Sequence, residues 1–517
     1  MTIPVDDGGR APSPDQVTAA ARASLAPGEA GWLVGGCLRD ELLGVPVHDV
    51  DIVVDGAAEP FSRALADRLG AAVFASSDAF GTWRLVLGDA HDAHVDVAPL
   101  RPGPGAFAGA GARAGSGDHA GFGTHSASGA PVDLDARARR LEADLRARDF
   151  TVDALARPLD GHELVDPLSG LDDLASRSLR LCAPSALSDD PLRVVRLARL
   201  ARAFGLVPDA AATKAALQEA RGLAAVSGER VRDELSAVLA TGPAAAFAFR
   251  DLAVWGALAV ILPELDGLRG VEQNPYHHLD VFEHTLEALT YVGGVVQQLG
   301  GRAHLVSPAE AGLPGEPALV PVTWAVLLHD IGKPESRRVD EQGRIIFWSH
   351  DEIGRRMAGD IAERFKMSNR FAAYLGTLIR QHLRLGFLAR EQPLTRRALA
   401  RYRRDVSPWV FESVVVSLCD RLATRGEKTS LTSMARHYRL ARSVWSAVSK
   451  AQVPQVLTGD EVMDVLGLEP GPAVGQALDA LEEEVEAGDV TSADQARAFL
   501  RAWRGGREDP EVAGEEG

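Results

Sequence analysis

Hydrophobic alternation of period two occupies one short stretch of this 517-residue chain, Gly31 to Leu100. It nearly vanishes from Leu171 onward, where apolar residues recur at helical spacing. That switch limits the fold more than any other feature. A sheet can be assembled only near the start of the chain, and the longer remainder must pack as helices. Inside the first stretch "GWLVGG" reads as a strand entering a glycine turn, "CLRDELLG" as a helix and "HDVDIVV" as a strand. "EPFSRALADRLG" is an amphipathic helix, followed by strands around "FGTWRLVLG" and "HVDVAPL". The expectation is an α+β protein: a small α/β domain, then helical domains.

The length suits roughly three domains at about 150 residues each, and 46% hydrophobic residues support globular cores. Residues 1–25 read as disordered. The first sixteen are polar, acidic and proline-punctuated, without the apolar core of a signal peptide. The longest apolar run, Leu252 to Pro263, is too short to span a bilayer and reads as a buried helix. Cys37, Cys182 and Cys419 are odd in number and far apart, which suggests neither a disulfide framework nor a zinc knuckle. A cytoplasmic protein without a membrane partner is expected. Residues 102–130 hold nine glycines and read as a flexible loop, and Gly300 to Pro321 is a second Gly/Pro-rich connector.

A net charge of −17 is poor for approaching RNA phosphates. The arginines are clustered, however: Arg137, Arg139, Arg140, Arg146 and Arg148; Arg193, Arg196, Arg199 and Arg202; Arg396, Arg397, Arg401, Arg403 and Arg404. Acid is gathered at Glu482–Glu486 and between Glu508 and Glu516. Global charge therefore neither supports nor excludes an RNA partner.

Asp49 and Asp51 lie two apart in a β-branched run, so both carboxylates fall on one face of a strand. Asp96, in the later strand-like run, can lie beside them if the two strands pair. Three convergent carboxylates can hold two Mg²⁺ ions, one at an attacking hydroxyl and one at triphosphate oxygens. Gly35-Gly36 opens the following helix, where free N–H groups favour a phosphate.

The ordered set "LVGGCLRDELLGVPVHDVDIVV" resembles the first signature motif of the class II tRNA nucleotidyltransferases and bacterial poly(A) polymerases, built on the DNA polymerase β-like fold. The resemblance covers Gly35, Gly36, Arg39, Asp40 and both strand aspartates. It implies that Asp49 and Asp51 are the metal-binding catalytic carboxylates. "RARDFTVDALA" looks like the family's segment around the nucleotide ribose, here Arg148, Asp149 and Phe150. "LVDPLSGLDDLASRSLR" is similar to its hinge, and "GERVRDELSAVLAT" to a later helix.

"SDDPLRVVRLARLARAFGL" resembles the family's nucleotide-template motif and arginine-rich helix. By that resemblance Asp190 and Arg193 imitate a base-pairing partner, with Arg196 and Arg199 further along the nucleotide-binding helix. A carboxylate accepts from the exocyclic amine shared by cytosine and adenine, while a guanidinium donates to the neighbouring ring acceptor. CTP and ATP are the implied substrates and a tRNA 3′ end the implied partner. Two residues depart from the pattern: Ala147 stands where the family usually has arginine, and Asp153 where it usually has asparagine.

Further on, His329-Asp330 ends the apolar run "VTWAVLLHDIGKP", with His284, His350, His382 and Asp420 in other helix-like segments. Imidazoles and carboxylates suit one or two divalent transition metals holding an activated water. The series resembles the HD phosphohydrolase superfamily, which implies a site for Mn²⁺, Ni²⁺ or Co²⁺, with His277 and His278 only shaping its mouth. "LTGDEVMDVLGLEPGPAVGQALDALEEEVEAGDV" resembles the family's C-terminal tRNA-binding region. The expected domains are a head (26–170), a neck (171–270), an HD domain (271–430), a C-terminal helical region (431–505) and an acidic tail (506–517). The leading reading is an enzyme adding C and/or A to tRNA with a separate phosphohydrolase. A poly(A) polymerase, or an HD phosphohydrolase with a regulatory nucleotide-binding head, are the alternatives.

Overall fold

The sheet anticipated between Gly31 and Leu100 forms in a computed structural model that describes residues 12–47, 49–77, 81–88, 93–101, 134–388, 394–450 and 456–503. Its strands are β1 (Gly31–Val34), β2 (Asp49–Val54), β3 (Ala72–Ser77), β4 (Thr82–Leu87), β5 (Ala93–Pro99) and β6 (Ala156–Pro158), in the order β3-β4-β5-β2-β1-β6. β2 and β5 run parallel, which requires a crossover, supplied here by the helix Ala58–Leu69 and the β3–β4 hairpin. The register sets Asp51 of β2 opposite Asp96 of β5, and Arg84 of β4 opposite Asp96 on the other side. β3 and the three-residue β6 were not legible as strands beforehand. The glycine-rich 102–130 segment and the 506–517 tail lie outside the described residues.

One face of the sheet packs Trp32, Val34 and Val53 against Leu141 and Leu145 of the helix Leu134–Arg146. Burying each such side chain contributes about 1.5–3 kcal/mol. Within residues 1–25, expected to be disordered, Pro14–Ser24 is instead a helix that buries Val17, Ala20 and Ala21, while residues 1–11 lie outside the described residues. Pro14 does not interrupt structure there. It occupies the first helical turn behind Ser13, whose hydroxyl and Gln16 form a reciprocal capping box.

The chain divides into two units, Met1–Val226 with Val254–Ala257, and Ser227–Ala253 with Leu258–Gly517, so the neck expected over 171–270 is split between them. The apolar run from Leu252 is likewise not one helix: Ala244–Val254 ends before Leu258–Ile261 begins, with Gly256 between them at φ +77°. In the second unit every residue of the helix Val320–Leu328 is buried, which explains why the sequence before His329 is apolar on all sides. The helices Gly459–Leu466, Pro472–Ala487 and Ala493–Trp503 share a core of their own. The helix Leu431–Lys450, expected to belong with them, instead lines a cavity together with His350, His382 and Asp420.

The arginine cluster at 396–404 is not an open basic patch. Arg397 grips Glu484 through two 2.8 Å bonds and also reaches Asp489 (2.7 Å), Arg401 bonds Glu483 (3.0 Å), and Arg403 lies 3.2 Å from Glu482. Arg404 pairs with Glu483 as well. The two clusters of opposite charge neutralise each other within the second unit.

Candidate functional site

In the first unit the β2–β5 pairing brings three carboxylates together, each already engaged differently. Asp49 is exposed and accepts from His94 Nδ1 at 2.8 Å. Asp96 accepts a two-pronged bond from Arg84, at 2.8 and 2.7 Å. Asp51, opposite Asp96 on the neighbouring strand, is partly buried. Burial pushes its pKa up to about 6, opposed by Arg148 and reinforced by Asp96 and Asp49. His94 is raised, chiefly by its hydrogen bond to Asp49. Neither His94 nor Arg84 was singled out from the sequence, although both lie on strands flanking the acids.

Gly35 leaves room for this arrangement. Its φ is +79°, and a Cβ there would stand 2.6 Å from Arg148 Nη1 and 3.4 Å from Asp51 Oδ2. Its own N–H is bonded to the Leu155 carbonyl (3.1 Å), so the expected role for that N–H in holding a phosphate is corrected to a steric one. A cleft of about 270 Å³ is lined by Gly36, Asp49, Asp51, Arg148, Asp149, Arg196 and Arg199, among others.

Arg39 also lines this cleft, yet it is chiefly a structural clamp. It donates to Asp153 (2.6 Å) and Asp40 (2.7 and 2.8 Å) and lies 4.1 Å over the Phe204 ring. Asp153, the departure from asparagine, thus supplies a charge for Arg39, and burial raises its pKa against that pairing. Asp149 accepts from its neighbour's N–H, Phe150 (3.0 Å), and from Arg196 Nε (2.7 Å). Asp190 accepts from the Leu192 N–H (3.2 Å), and Arg193 donates to the carbonyls of Ala186 and Ala147. Residue 147 therefore acts through its main chain, which alanine retains. Among the described residues the cleft lining does not include Asp190 or Arg193.

In the second unit six predicted ligands from five segments converge. His284 Nε2 lies 3.1 Å from Asp420 Oδ1 and 3.5 Å from Asp330 Oδ2, and His329 Nε2 lies 3.2 Å from Asp330 Oδ2. On the other side Asp330 Oδ1 faces His350 (3.6 Å) and His382 (3.8 Å). Every imidazole is oriented from behind. The Nδ1 atoms of His284, His329, His350 and His382 bond the carbonyls of Ala423, Val326, Phe347 and Ile379, at 3.3, 2.8, 2.7 and 2.7 Å. A carbonyl only accepts, so each Nδ1 carries a proton and each Nε2 is turned inward.

Two observations show that a cation fits here. His329 Nε2 is buried and makes no hydrogen bond. The Nε2 atoms of His350 and His382 face each other at 3.3 Å. Burial, with His350 and His329 nearby, pushes His382 down to about 4, and burial lowers His350 too, so neither ring is an imidazolium near neutrality. Burial alone would raise Asp330, but His329 and Lys333 hold it well below the usual carboxylate range. Gly332 permits the convergence: a Cβ there would meet the His350 carbonyl at 2.1 Å and the Gly354 nitrogen at 2.6 Å. His277 lies near enough to His284 and Asp420 for the three to face one ion. His278 turns to Glu287 instead (3.3 Å). Lys333, bonded to Asp330 (2.6 Å) and Gln273 (2.7 Å), was not anticipated.

A carboxylate-bearing α/β head and a histidine–aspartate helical centre define a nucleotidyltransferase joined to an HD domain. Residues 31–180 match the poly A polymerase head domain, 210–268 the probable RNA and SrmB-binding site of polymerase A, and 281–425 the HD domain. The chain is 34% identical over 485 residues to an A-adding tRNA nucleotidyltransferase of Deinococcus radiodurans, covering 92% of this chain and 96% of that one. It is 34% identical over 490 residues to a CC-adding tRNA nucleotidyltransferase of Thermus thermophilus, covering 92% and 94%. A solved CCA-adding enzyme in complex with ATP shares the fold, with a TM-score of 0.56 at 17% identity over 95% of each chain. The chain belongs to the tRNA nucleotidyltransferase and poly(A) polymerase family, as a metal-dependent enzyme with an HD domain. These likenesses favour neither of the two alternatives drawn from sequence. No helix among the described residues is long and apolar enough to cross a membrane.

Proposed function

We propose that this enzyme adds cytidylate and/or adenylate from CTP and ATP to the 3′ end of tRNA, and that its HD domain hydrolyses a phosphoester. The observation that carries the first part is the parallel β2–β5 register, which sets Asp51 beside Asp96 at the edge of an arginine-lined cleft. In the reaction the terminal ribose oxygen bonds to the α-phosphorus, pyrophosphate leaves with the electrons of the broken P–O bond, and the hydroxyl proton is released. Mg²⁺ held by Asp49, Asp51 and Asp96 would supply positive charge to the hydroxyl and the triphosphate. Arg148, Arg196 and Arg199 line the cleft where the nucleotide's phosphates and ribose would rest. Asp190 and Arg193 would read the base, exchanging main-chain partners for its edge.

In the HD domain His284, His329, Asp330 and Asp420 would hold one transition ion such as Mn²⁺, Ni²⁺ or Co²⁺. His350 and His382 would hold a second, with Asp330 shared between them. A tRNA substrate would place the enzyme in the cytoplasm. The test uses tRNAs ending before, within and after CC, each with one labelled nucleotide. Incorporation of CTP or ATP onto one of them is expected. No incorporation onto any of the three overturns the reading.

A further inference from the structure

The cavity in front of the HD ligands encloses about 510 Å³, within the range of roughly 300–1,000 Å³ that suits a small-molecule ligand. Its lining includes just two carboxylates, Asp330 and Asp420, both belonging to the ligand cluster. Against them stand four cations: Lys333, Arg421, Lys428 and Arg436. Lys333 is tied to Asp330 and Arg421 to Ser433 Oγ (2.8 Å). Among the described residues Lys428 and Arg436 have no ion-pair partner. The arginines at 397, 401, 403 and 404, by contrast, are held by carboxylates.

The main chain at Lys428 is also held in place. Its N–H donates to the Pro275 carbonyl (3.2 Å), and Gly426 N–H and Thr429 Oγ1 both donate to the Tyr276 carbonyl, at 2.7 and 3.0 Å. Gly426 has no room for a Cβ, which would stand 2.5 Å from the Pro275 oxygen. The loop carrying Lys428 and the loop carrying the half-exposed Tyr276 are therefore fastened into one wall of the cavity.

A metal centre needs one phosphoryl group, and Lys333 already lies beside it. Two further unpaired cations and a third held by a serine exceed what one phosphate uses. Resting on the phosphohydrolase reading above, we propose that the cavity takes a nucleotide ester carrying a second phosphate besides the one hydrolysed. That second group rests on Lys428, Arg436 and Arg421, with the base against Tyr276. Hydrolysis consumes one water: its oxygen bonds to phosphorus, the ester P–O bond breaks, and the ribose oxygen leaves with a proton.

The test compares cytidine 2′,3′-cyclic phosphate, its 5′-phosphorylated form, and the dinucleotide CpC 2′,3′-cyclic phosphate on the full chain with Mn²⁺, Ni²⁺ or Co²⁺. A free 5′-phosphate and one inside a chain are thereby distinguished. At least one of the two substrates with a second phosphate should show kcat/KM about tenfold or more above the first, mainly through KM. In Lys428→Gln/Arg436→Gln that ratio should fall close to one. A binding arm uses metal-free protein and equilibrium dialysis of cytidine 3′,5′-bisphosphate against cytidine 3′-monophosphate, where the same double substitution should remove the preference for the bisphosphate. Equal efficiency on all three substrates, or an unchanged preference in the variant, overturns the inference. If no metal supports hydrolysis of any substrate, the phosphohydrolase reading fails, and the dialysis result still decides the second-phosphate site.

Discussion

The two candidate metal centres differ in how far their ligands are already committed. In the HD domain the imidazoles are locked by main-chain carbonyls and their free nitrogens point at one shared carboxylate. In the head two of the three carboxylates are occupied by side chains of the protein itself, His94 and Arg84. A cation entering the first centre relieves lone-pair repulsion. A cation entering the second must displace other cations. The contrast follows from ligand chemistry: neutral imidazoles can wait unpaired when oriented from behind, whereas clustered carboxylates repel and recruit whatever positive charge is near. A resident ion suits the HD centre, while the head suits ions that arrive with a triphosphate.

The strongest way to break this comparison is to remove one centre at a time. Asp49→Ala/Asp51→Ala should lower nucleotide addition by on the order of 10²–10³-fold or more and spare HD hydrolysis. His329→Ala/Asp330→Ala should do the reverse. Either pair silencing both activities in a folded protein would mean the centres are not independent. Next in size is Gly332→Ala, whose methyl group would press on the His350 carbonyl. It should weaken metal binding at the HD centre by about 10–100-fold, the scale of lost ligand orientation, as measured by metal content after dialysis. Full metal occupancy would show that the imidazoles are less rigidly placed than the packing implies.

Smaller effects sharpen the account of the head. Arg84→Ala frees Asp96 from a two-pronged bond and should lower the Mg²⁺ concentration needed for half-maximal addition by about tenfold. An unchanged requirement would remove Asp96 from the metal set. The smallest effect is on pH dependence. The folded-state pKa of Asp51 is raised to about 6 from 3.8, so the stability this group adds to the metal-free head is complete below 3.8 and is lost as pH rises through about 6. Metal binding must displace that proton, so Mg²⁺ affinity should fall up to about tenfold per pH unit below 6. Thermal melts with and without Mg²⁺ should therefore separate as pH rises from 5 to 8, and a constant gap would place the titration elsewhere.

Much of both sites was legible because the informative patterns are local. Asp49 and Asp51 share a strand face through simple alternation, and His329-Asp330 follows directly on a short, wholly buried apolar helix. The helix Pro14–Ser24 was misread because proline interrupts most structure, yet favours the first turn of a helix. The pairing of the arginines at 396–404 with Glu482–Glu486 was not legible, because the two clusters lie some eighty residues apart in sequence.

By itself the sequence determined the candidate site residues, the succession of a head and an HD domain, and the switch from sheet to helix. Each of these depends on spacing within a few residues. Only the tertiary structure decided which charges are free to act. It brought Asp96 beside Asp51 through strand register, assigned Arg39 to Asp153, engaged Asp96 with Arg84, and left Lys428 and Arg436 without an ion pair among the described residues. An ion pair depends on distances of a few ångströms between segments remote along the chain, and those distances are set only when the cores have packed.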